Sequence, residues 1–293
     1  MKTFKMMTRR SVYIAAGAMA VLFLLTGIAF AQSAFPKMPG VWLSGAGYKP
    51  SDAHVEELTR SLRRITGFSE LHFAKDGSLA PGAAQSAQSA QSAQSAQSGG
   101  SAAARRMLSR SLGSGFVFII EDHSGSPSVN FGQLNEGLRY EDAVTGLRLV
   151  VWRLRLDFDD FRQMQAPREV RDSFDIGFTT LHELLHGLGY KDAASFDELG
   201  ECEETLNRAR AELGLPLRDQ YFGDELRMAR HLVSVRLRFR SDKARVPAGS
   251  ARARTQYLFF MVQSDYEQQT APPGEGVFDC RHGSAIQHQA PKD

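Results

Sequence analysis

The stretch from Phe174 to Asp192 constrains the fold of this chain more than any other part of its sequence. Its apolar residues recur with the i, i+3, i+4 spacing of a buried helix: Phe174, Phe178, Leu181, Leu184, Leu185 and Leu188. Asp172 or Ser173 is a candidate N-cap, and Gly189 suits the C-terminal end. The pattern therefore predicts a buried helix that ends at a glycine.

Two histidines and a glutamate in this helix have the spacing of a metal site. His182 and His186 stand four residues apart, so their imidazoles leave the same helix face one turn apart and can bind one metal ion. Glu183 follows the first histidine directly, which places its carboxylate beside the metal rather than on it. A carboxylate there can act as the general base that takes a proton from an attacking water.

The run His182-Glu183-x-x-His186-x-x-Gly189-x-x-Asp192 resembles the extended metzincin signature of the zincin metallopeptidases. The resemblance is confined to the helix and the turn after it. It implies a Zn²⁺ cofactor with His182, His186 and Asp192 as ligands, Glu183 as the catalytic base, and a peptide or protein substrate. It also implies a mixed sheet before the metal helix, with an edge strand that binds substrate peptide.

The chain departs from the metzincin pattern at the methionine turn that lies beneath the metal in that family. Met228 and Met261 are the methionines that follow the motif, and neither lies in an obvious turn. Met228 is predicted in a helix-like stretch and Met261 in a strand-like one. The gluzincin arrangement, in which a glutamate on the next helix is the third ligand, therefore stays open.

A second helix is predicted after the motif, and it carries the alternative ligands. Residues 195–198 read as a capping box, and Gly214 marks the end of the helix. Glu203, with Asn207 one turn later, resembles the gluzincin pair of ligand and supporting side chain, and Glu204 is a further candidate. The spacing favours Asp192 over these glutamates.

The first 31 residues predict a targeting segment. Four basic residues precede the apolar run 11–30, and Ala29-Phe30-Ala31 fits the small-x-small rule for signal-peptide cleavage. If this segment is a cleaved signal peptide, the mature protein is expected to be secreted or to reside in the periplasm or cell envelope. The apolar run is also long enough to serve as an uncleaved membrane anchor. Association with a membrane is expected only in that case.

The rest of the chain is close to neutral in charge. Four of the 35 lysine and arginine residues lie in the targeting segment, so 31 remain against 33 acidic residues. The sequence shows no basic stripe with interleaved aromatic residues, and no nucleic-acid partner is expected. Nothing in the sequence indicates the oligomeric state.

Residues 81–104 interrupt the chain with low complexity. An Ala-Gln-Ser repeat runs from residue 84 to residue 98, and a segment with so little apolar bulk is predicted to be disordered. As a linker, it would separate an N-terminal helical segment, residues 32–80, from a zincin-like domain at residues 105–281 and a flexible tail at residues 282–293. The alternative is a long insertion between two elements of one domain.

Several short apolar or alternating runs predict strands on both sides of the metal helix. Residues 116–120 and 147–158 precede the helix, and residues 232–239 and 255–263 follow it as a β-hairpin. The fold class predicted from these elements is α+β, with a mixed sheet before the helix, a second helix after it and a C-terminal hairpin. Residues 51–66 add an amphipathic helix near the N-terminus.

Cys202 and Cys280 are the two cysteines of the chain. In an exported protein an even pair tends to be oxidised, so a disulfide between them is the economical interpretation. Thiolate coordination of zinc is less favoured, because neither cysteine has a second thiol close in the sequence.

These features together predict an exported zinc metallopeptidase, a hydrolase that uses a metal-activated water on peptide bonds. The alternative is a catalytically inactive secreted domain that keeps the helix for zinc binding or protein interaction. The missing methionine turn and the open choice of third ligand support that alternative.

Overall fold

The structure is a computed structural model. It describes residues 38–45, 47–82, 99–141, 146, 148–195, 198–229, 232–241, 254–263, 277–279 and 284–286. The predicted targeting segment, most of the predicted linker and Cys280 lie outside these residues. Among the residues described, no helix combines the length and apolar character that a membrane span requires.

The described residues form a mixed α+β structure, which confirms the predicted fold class. The helices are α1 (Asp52–Thr66), α2 (Ala102–Leu112), α3 (Phe158–Gln163), α4 (Arg168–Ser173), α5 (Ile176–Gly187) and α6 (Gly200–Leu213). The strands are β1 (Gly40–Leu43), β2 (His72–Phe73), β3 (Leu79–Ala80), β4 (Val117–Asp122), β5 (Gly132–Glu141), β6 (Arg148–Leu156), β7 (Leu217–Arg218), β8 (Asp224–Ala229), β9 (Leu232–Arg240), β10 (Thr255–Gln263), β11 (Val277–Asp279) and β12 (Ser284–Ile286).

A mixed four-stranded sheet precedes the histidine-bearing helix α5, as predicted. Its strand order is β1-β4-β6-β5, with β1, β4 and β6 parallel and β5 antiparallel at one edge. The central strands contain Val117, Phe118, Ile120 and Leu154 with almost no exposed surface, as expected for strands covered on both faces. The sheet thus presents one antiparallel edge strand.

Helix α5 packs on this sheet and against the other helices. It contacts β5 and β6 on one side and α1, α2 and α6 on the others. Gly187 permits close contact with the sheet, because a Cβ atom there would lie 2.3 Å from the ring of Phe118. The result is a helix enclosed on nearly all sides, with 11 of its 12 residues buried.

The residues before the Ala-Gln-Ser repeat belong to the same core as those after it. Strand β1 pairs with β4, and Leu58, Leu62 and Ile65 of α1 lie in one hydrophobic cluster with the side chains of α5. From Met38 onward the chain forms one compact unit. This arrangement matches the alternative in which the repeat is an insertion within one domain, and α2 begins at Ala102, inside the predicted linker.

A second, antiparallel sheet follows α6, with strand order β10-β9-β7 and with β8 also paired to β9. Strands β9 and β10 form the predicted pairing of residues 232–239 with 255–263. Met261 lies in β10 as predicted. The prediction for Met228 was wrong: it lies in β8, where pairing with β9 imposes an extended backbone on a segment whose sequence resembles a helix.

Two predicted helix starts also differ from the structure. Asp175, rather than Asp172 or Ser173, caps α5, and its side chain accepts hydrogen bonds from the backbone N–H groups of Gly177 and Phe178. Residues 172 and 173 belong instead to the short helix α4. The second helix begins at Gly200, without a side-chain cap, and ends at Gly214 as predicted.

Candidate metal centre

The turn after α5 brings Asp192 back to the two histidines. Gly189 turns the chain with a φ of 91°, a conformation that favours glycine. Asp192 then forms a β-bridge with Gly200, at the start of α6. Gly200 has a φ of 75°, and a Cβ atom there would lie 2.2 Å from the backbone nitrogen of Ala193. Two glycines therefore set the path that places the Asp192 carboxylate.

Three side chains meet at one point. The Nε2 atoms of His182 and His186 lie 3.1 Å apart. His182 Nε2 lies 3.2 Å from Oδ1 of Asp192, and His186 Nε2 lies 3.1 Å from Oδ2. The Asp192 side chain is fully buried, and those of His182 and His186 are 10% and 16% exposed. The structure thus brings together all three residues predicted as metal ligands.

The separations of these donor atoms fit a tetrahedral metal ion. Zinc bonds of about 2.0–2.1 Å place neighbouring donors of a tetrahedron about 3.3 Å apart, close to the distances here. Imidazole and carboxylate donors suit zinc and also other divalent transition metals. The geometry therefore fits a divalent cation, and the choice of zinc rests on the motif.

The outward nitrogens of both histidines have partners that orient the rings. His186 Nδ1 lies 3.0 Å from the backbone oxygen of Tyr190, which accepts its proton. His182 Nδ1 lies 3.2 Å from Oε1 of Glu203, at ion-pair distance but without the alignment of a full hydrogen bond. A proton on Nδ1 leaves the Nε2 lone pair available to a metal. Both rings are therefore oriented with Nε2 toward Asp192.

The charges of the site depend strongly on one another. Burial opposes a charge on His182, but the attraction of Asp192 and the contacts with Asp192 and Glu203 outweigh it and raise the pKa of His182 to about 10. Burial would raise the pKa of Asp192, yet the two histidines hold it well below its usual range. The Asp192 carboxylate therefore remains ionised, the form that binds a metal.

Glu183 lies in the same buried environment. Burial raises the pKa of its carboxyl, and Asp192 adds to this effect, whereas His182, His186 and a hydrogen bond from the backbone N–H of Leu134 oppose it. That N–H belongs to edge strand β5. The candidate general base is therefore held between α5 and the edge of the sheet.

Asp192 lies beside Nε2 of His182, whereas Glu203, the alternative third ligand, lies beside Nδ1. Its carboxylate accepts hydrogen bonds from Nη1 of Arg210 at 2.7 Å and from Nη1 of Arg218 at 2.9 Å. Burial would raise the pKa of Glu203, but these guanidinium groups hold it well below its usual range. Glu204 is exposed on the same helix. The structure thus places Asp192, and neither glutamate, beside the inward histidine nitrogens.

Cys202 is a free thiol that sequence analysis did not connect with this site. Its Sγ lies 3.6 Å from Nδ1 of His186, and Cys280, the partner in the predicted disulfide, lies outside the described residues. Cys202 belongs with His182, His186 and Asp192 to a cluster whose donor atoms lie within 4.8 Å of one another. Burial and the nearby acids raise the pKa of the thiol, which keeps it protonated. The even number of cysteines had pointed to a bridge, and only the fold brings this thiol to the histidine.

A small cavity of about 40 Å³ adjoins the site. Thr179, His182 and Glu183 of α5 line it. The other lining residues include the aromatic Phe131, Phe174, Tyr221 and Phe260 and the charged Glu203, Arg210 and Arg218. Tyr221 is buried, and its ring is stacked against that of His182 with 6.2 Å between centroids. The volume is enough for one or two water molecules next to the candidate base.

Comparison with known proteins found no matching family model, no matching curated protein and no matching solved structure. The functional argument therefore rests on the motif and on the geometry described above.

Proposed function

We propose that the protein is a zinc-dependent metallopeptidase in which His182, His186 and Asp192 hold the metal. The observation that carries this proposal is the convergence of both Nε2 atoms and the Asp192 carboxylate at separations of 3.1–3.2 Å. Three protein ligands are typical of catalytic zinc sites, which keep a further position for water or substrate.

Glu183 has the position that the general base needs. When bound, zinc would polarise a peptide carbonyl and make a water more acidic. The Glu183 carboxylate takes the proton of the attacking water and later gives it to the leaving amine. The backbone N–H of Leu134 donates a hydrogen bond to this carboxylate, so the base is already oriented before the substrate binds.

Strand β5 supports a peptide as the substrate class. It is antiparallel to β6, lies at the edge of the sheet and packs against α5. An extended peptide can add to such an edge through backbone hydrogen bonds, and the resemblance to zincins implies this mode of binding. The contact from Leu134 to Glu183 shows that the edge reaches the candidate base.

The proposal includes export. Residues 1–31 support it, because a positively charged start is followed by an apolar run and by a site that fits the small-x-small rule for signal-peptide cleavage. The enzyme would then act outside the cytoplasm, on a peptide or an envelope protein.

The proposal is tested by hydrolysis of a generic unfolded protein by the purified full-length chain. Activity should disappear with a chelator, return with added Zn²⁺ and be absent from the Glu183→Gln variant. Glu204→Gln is the matched control, because Glu204 is an exposed glutamate on α6 that directly follows the buried Glu203. Hydrolysis that persists in the chelator would contradict the proposal.

A second candidate is a zinc-binding domain without catalysis, and the position of Cys202 favours it. A thiolate as fourth protein ligand would close the coordination sphere, as in structural zinc sites. Against this, the sulfur lies beside Nδ1 of His186 rather than beside the Nε2 that faces Asp192. Zinc binding that requires Cys202, in a chain without hydrolytic activity, would favour this second candidate.

A further inference from the structure

A network of buried charged residues lies behind His182, on the Nδ1 side of its ring. Glu203 is at its centre and bridges His182 to two arginines. Its Oε1 lies 3.2 Å from His182 Nδ1 and 2.9 Å from Nη1 of Arg218, and its Oε2 lies 2.7 Å from Nη1 of Arg210. The side chains of Glu203, Arg210 and Arg218 are 2%, 1% and 4% exposed. This is an uncommon concentration of buried charge.

The two arginines are fixed to the surrounding backbone. Arg210 donates from Nε to the backbone oxygen of Ser173 at 2.9 Å. Arg218 donates from Nε to the backbone oxygen of Gln220 at 3.1 Å and from Nη2 to that of Tyr221. Because these acceptors belong to α4 and to the loop after β7, the arginines cannot follow Glu203 if it moves.

Asn207 joins the two arginines one turn after Glu203. Its Oδ1 accepts from Nη1 of Arg210 and from the backbone N–H of Arg218, each at 2.9 Å, and its Nδ2 donates to the backbone oxygen of Arg218 at 2.8 Å. Removal of the Glu203 carboxylate from this network would leave buried cations without their partner, which is strongly unfavourable. Glu203 is therefore held on the Nδ1 side of His182.

A carboxylate at that position determines how His182 can serve a metal. It stabilises the proton on Nδ1, so the lone pair stays on Nε2, and it fixes the rotation of the ring. The present contact has the distance of an ion pair without full hydrogen-bond alignment, as is common before a ligand binds. His186 obtains the same effect from the backbone oxygen of Tyr190.

We propose that Glu203 is a positioning residue for His182, and that Arg210 and Arg218 hold it in that role rather than leaving it available as a metal ligand. This inference rests on the proposed metal site and deepens it. Loss of a side chain that orients a metal-binding histidine typically lowers metal affinity by about 10- to 100-fold.

The test compares zinc affinity of the full-length chain by competition with a chromogenic chelator. Glu203→Gln should bind one zinc with about 10- to 100-fold lower affinity, and Glu204→Gln should bind it as the wild type does. Glu203→Asp keeps a negative charge near the arginines but withdraws the carboxylate from His182, so it should destabilise the chain less than Glu203→Gln does and still lose zinc affinity. The Co²⁺-loaded Glu203 variants should also show altered d–d absorption, which a change in stability alone would not produce.

A double-mutant comparison shows whether Glu203 acts through His182. Glu203→Asp should cost no further zinc affinity in a His182→Ala background, but it should keep its cost in a His186→Ala background. Equal costs in both backgrounds, or Glu203 variants that bind zinc as tightly as the wild type, would overturn the inference and leave the metal site intact. A wild-type chain that binds no zinc would instead overturn the proposed function itself.

A measurement on the wild type does not depend on how the variants fold. In the zinc-loaded chain, the ¹⁵N shifts of His182 should show a protonated Nδ1 whose proton resonates far downfield, as for a hydrogen bond to a carboxylate. A His182 ring bound through Nδ1, or an Nδ1 proton that exchanges freely with solvent, would overturn the positioning role.

Discussion

The sulfur of Cys202 lies 3.6 Å from Nδ1 of His186, the nitrogen that also faces the backbone oxygen of Tyr190. The opposite nitrogen, Nε2, faces Asp192 at 3.1 Å. The thiol thus packs behind the ring of a proposed metal ligand and not at the point where the inward donor atoms meet. This relationship supports the proposed catalytic metal site over a purely structural one.

Replacement of Cys202 by alanine should leave zinc binding and hydrolysis unchanged. The variant should lose about 1 kcal/mol in its free energy of unfolding, because Cys202 is fully buried and alanine leaves a small void. Zinc content by elemental analysis, together with the rate of protein hydrolysis, checks this prediction. Loss of zinc from Cys202→Ala would make the cysteine a ligand and would favour the structural site.

Replacement of Glu183 by glutamine should separate metal binding from catalysis. The amide keeps the shape of the side chain and cannot accept the proton of the attacking water, so kcat should fall by about 10²- to 10⁴-fold. Zinc affinity should stay within a few-fold of the wild type, because Glu183 is not a ligand. A variant that keeps full activity would exclude Glu183 as the base.

Gly132 should tolerate no side chain, because β5 passes very close to α5 at this position. A Cβ atom would lie 2.6 Å from Cγ2 of Thr179, 3.3 Å from Leu156 and 3.4 Å from Cγ of Glu183. Gly132→Ala should therefore lower the free energy of unfolding by about 1–3 kcal/mol and reduce activity through Glu183. Gly45→Ala is the matched control, since nothing lies within 4 Å of a Cβ atom there. If urea unfolding gave Gly132→Ala and Gly45→Ala the same free energy of unfolding, the prediction would be contradicted.

Asp160 should make stability depend on pH. Burial, together with Asp157 and Asp159, raises its pKa to about 6, although its carboxylate accepts a hydrogen bond from the backbone N–H of Phe131 at 2.8 Å. A raised pKa means that the folded chain favours the protonated form. The stability from this proton is present below about pH 4 and is lost as the pH rises through about 6.

Asp160→Asn should therefore stabilise the chain at pH 8 by about 1 kcal/mol, a value reduced from the full shift because the side chain is only half-buried. At pH 4 the effect should vanish. Urea unfolding at both pH values measures the difference, with Asp172→Asn as the control on a more exposed acid. A stabilisation that is the same at both pH values would rule out Asp160 as its source.

The part of the site that was predictable from sequence is local in the chain. His182, Glu183 and His186 are related by the periodicity of one helix, and Asp192 follows a glycine that permits the turn. Strands β1, β5 and β8 were not predicted, whereas short apolar and alternating runs made β4, β6, β9 and β10 predictable. These features depend on residues close in sequence, where the pattern carries the information.

The remaining features depend on distant packing. Arg210 lies two turns after Glu203 on the same face of α6, but Arg218 reaches Glu203 through the packing of β7 on α6. Glu203 in turn meets His182 because α6 packs against α5, and no spacing in the sequence shows this. The same packing brings Cys202 to His186, whereas an even count of cysteines pointed to a disulfide. Met228 was predicted in a helix because its segment resembles one in sequence, whereas pairing of β8 with β9 imposes an extended backbone.

The most direct test of the account is the zinc stoichiometry and affinity of the metal-free full-length chain, compared with its Asp192→Asn variant. Asparagine keeps the size of the side chain and removes the charge that binds the cation. The account predicts one zinc per wild-type chain and an affinity that falls at least about 100-fold in Asp192→Asn, more than the loss of a side chain that orients a metal-binding histidine. A wild-type chain without bound zinc, or a variant that binds it equally well, would contradict the account.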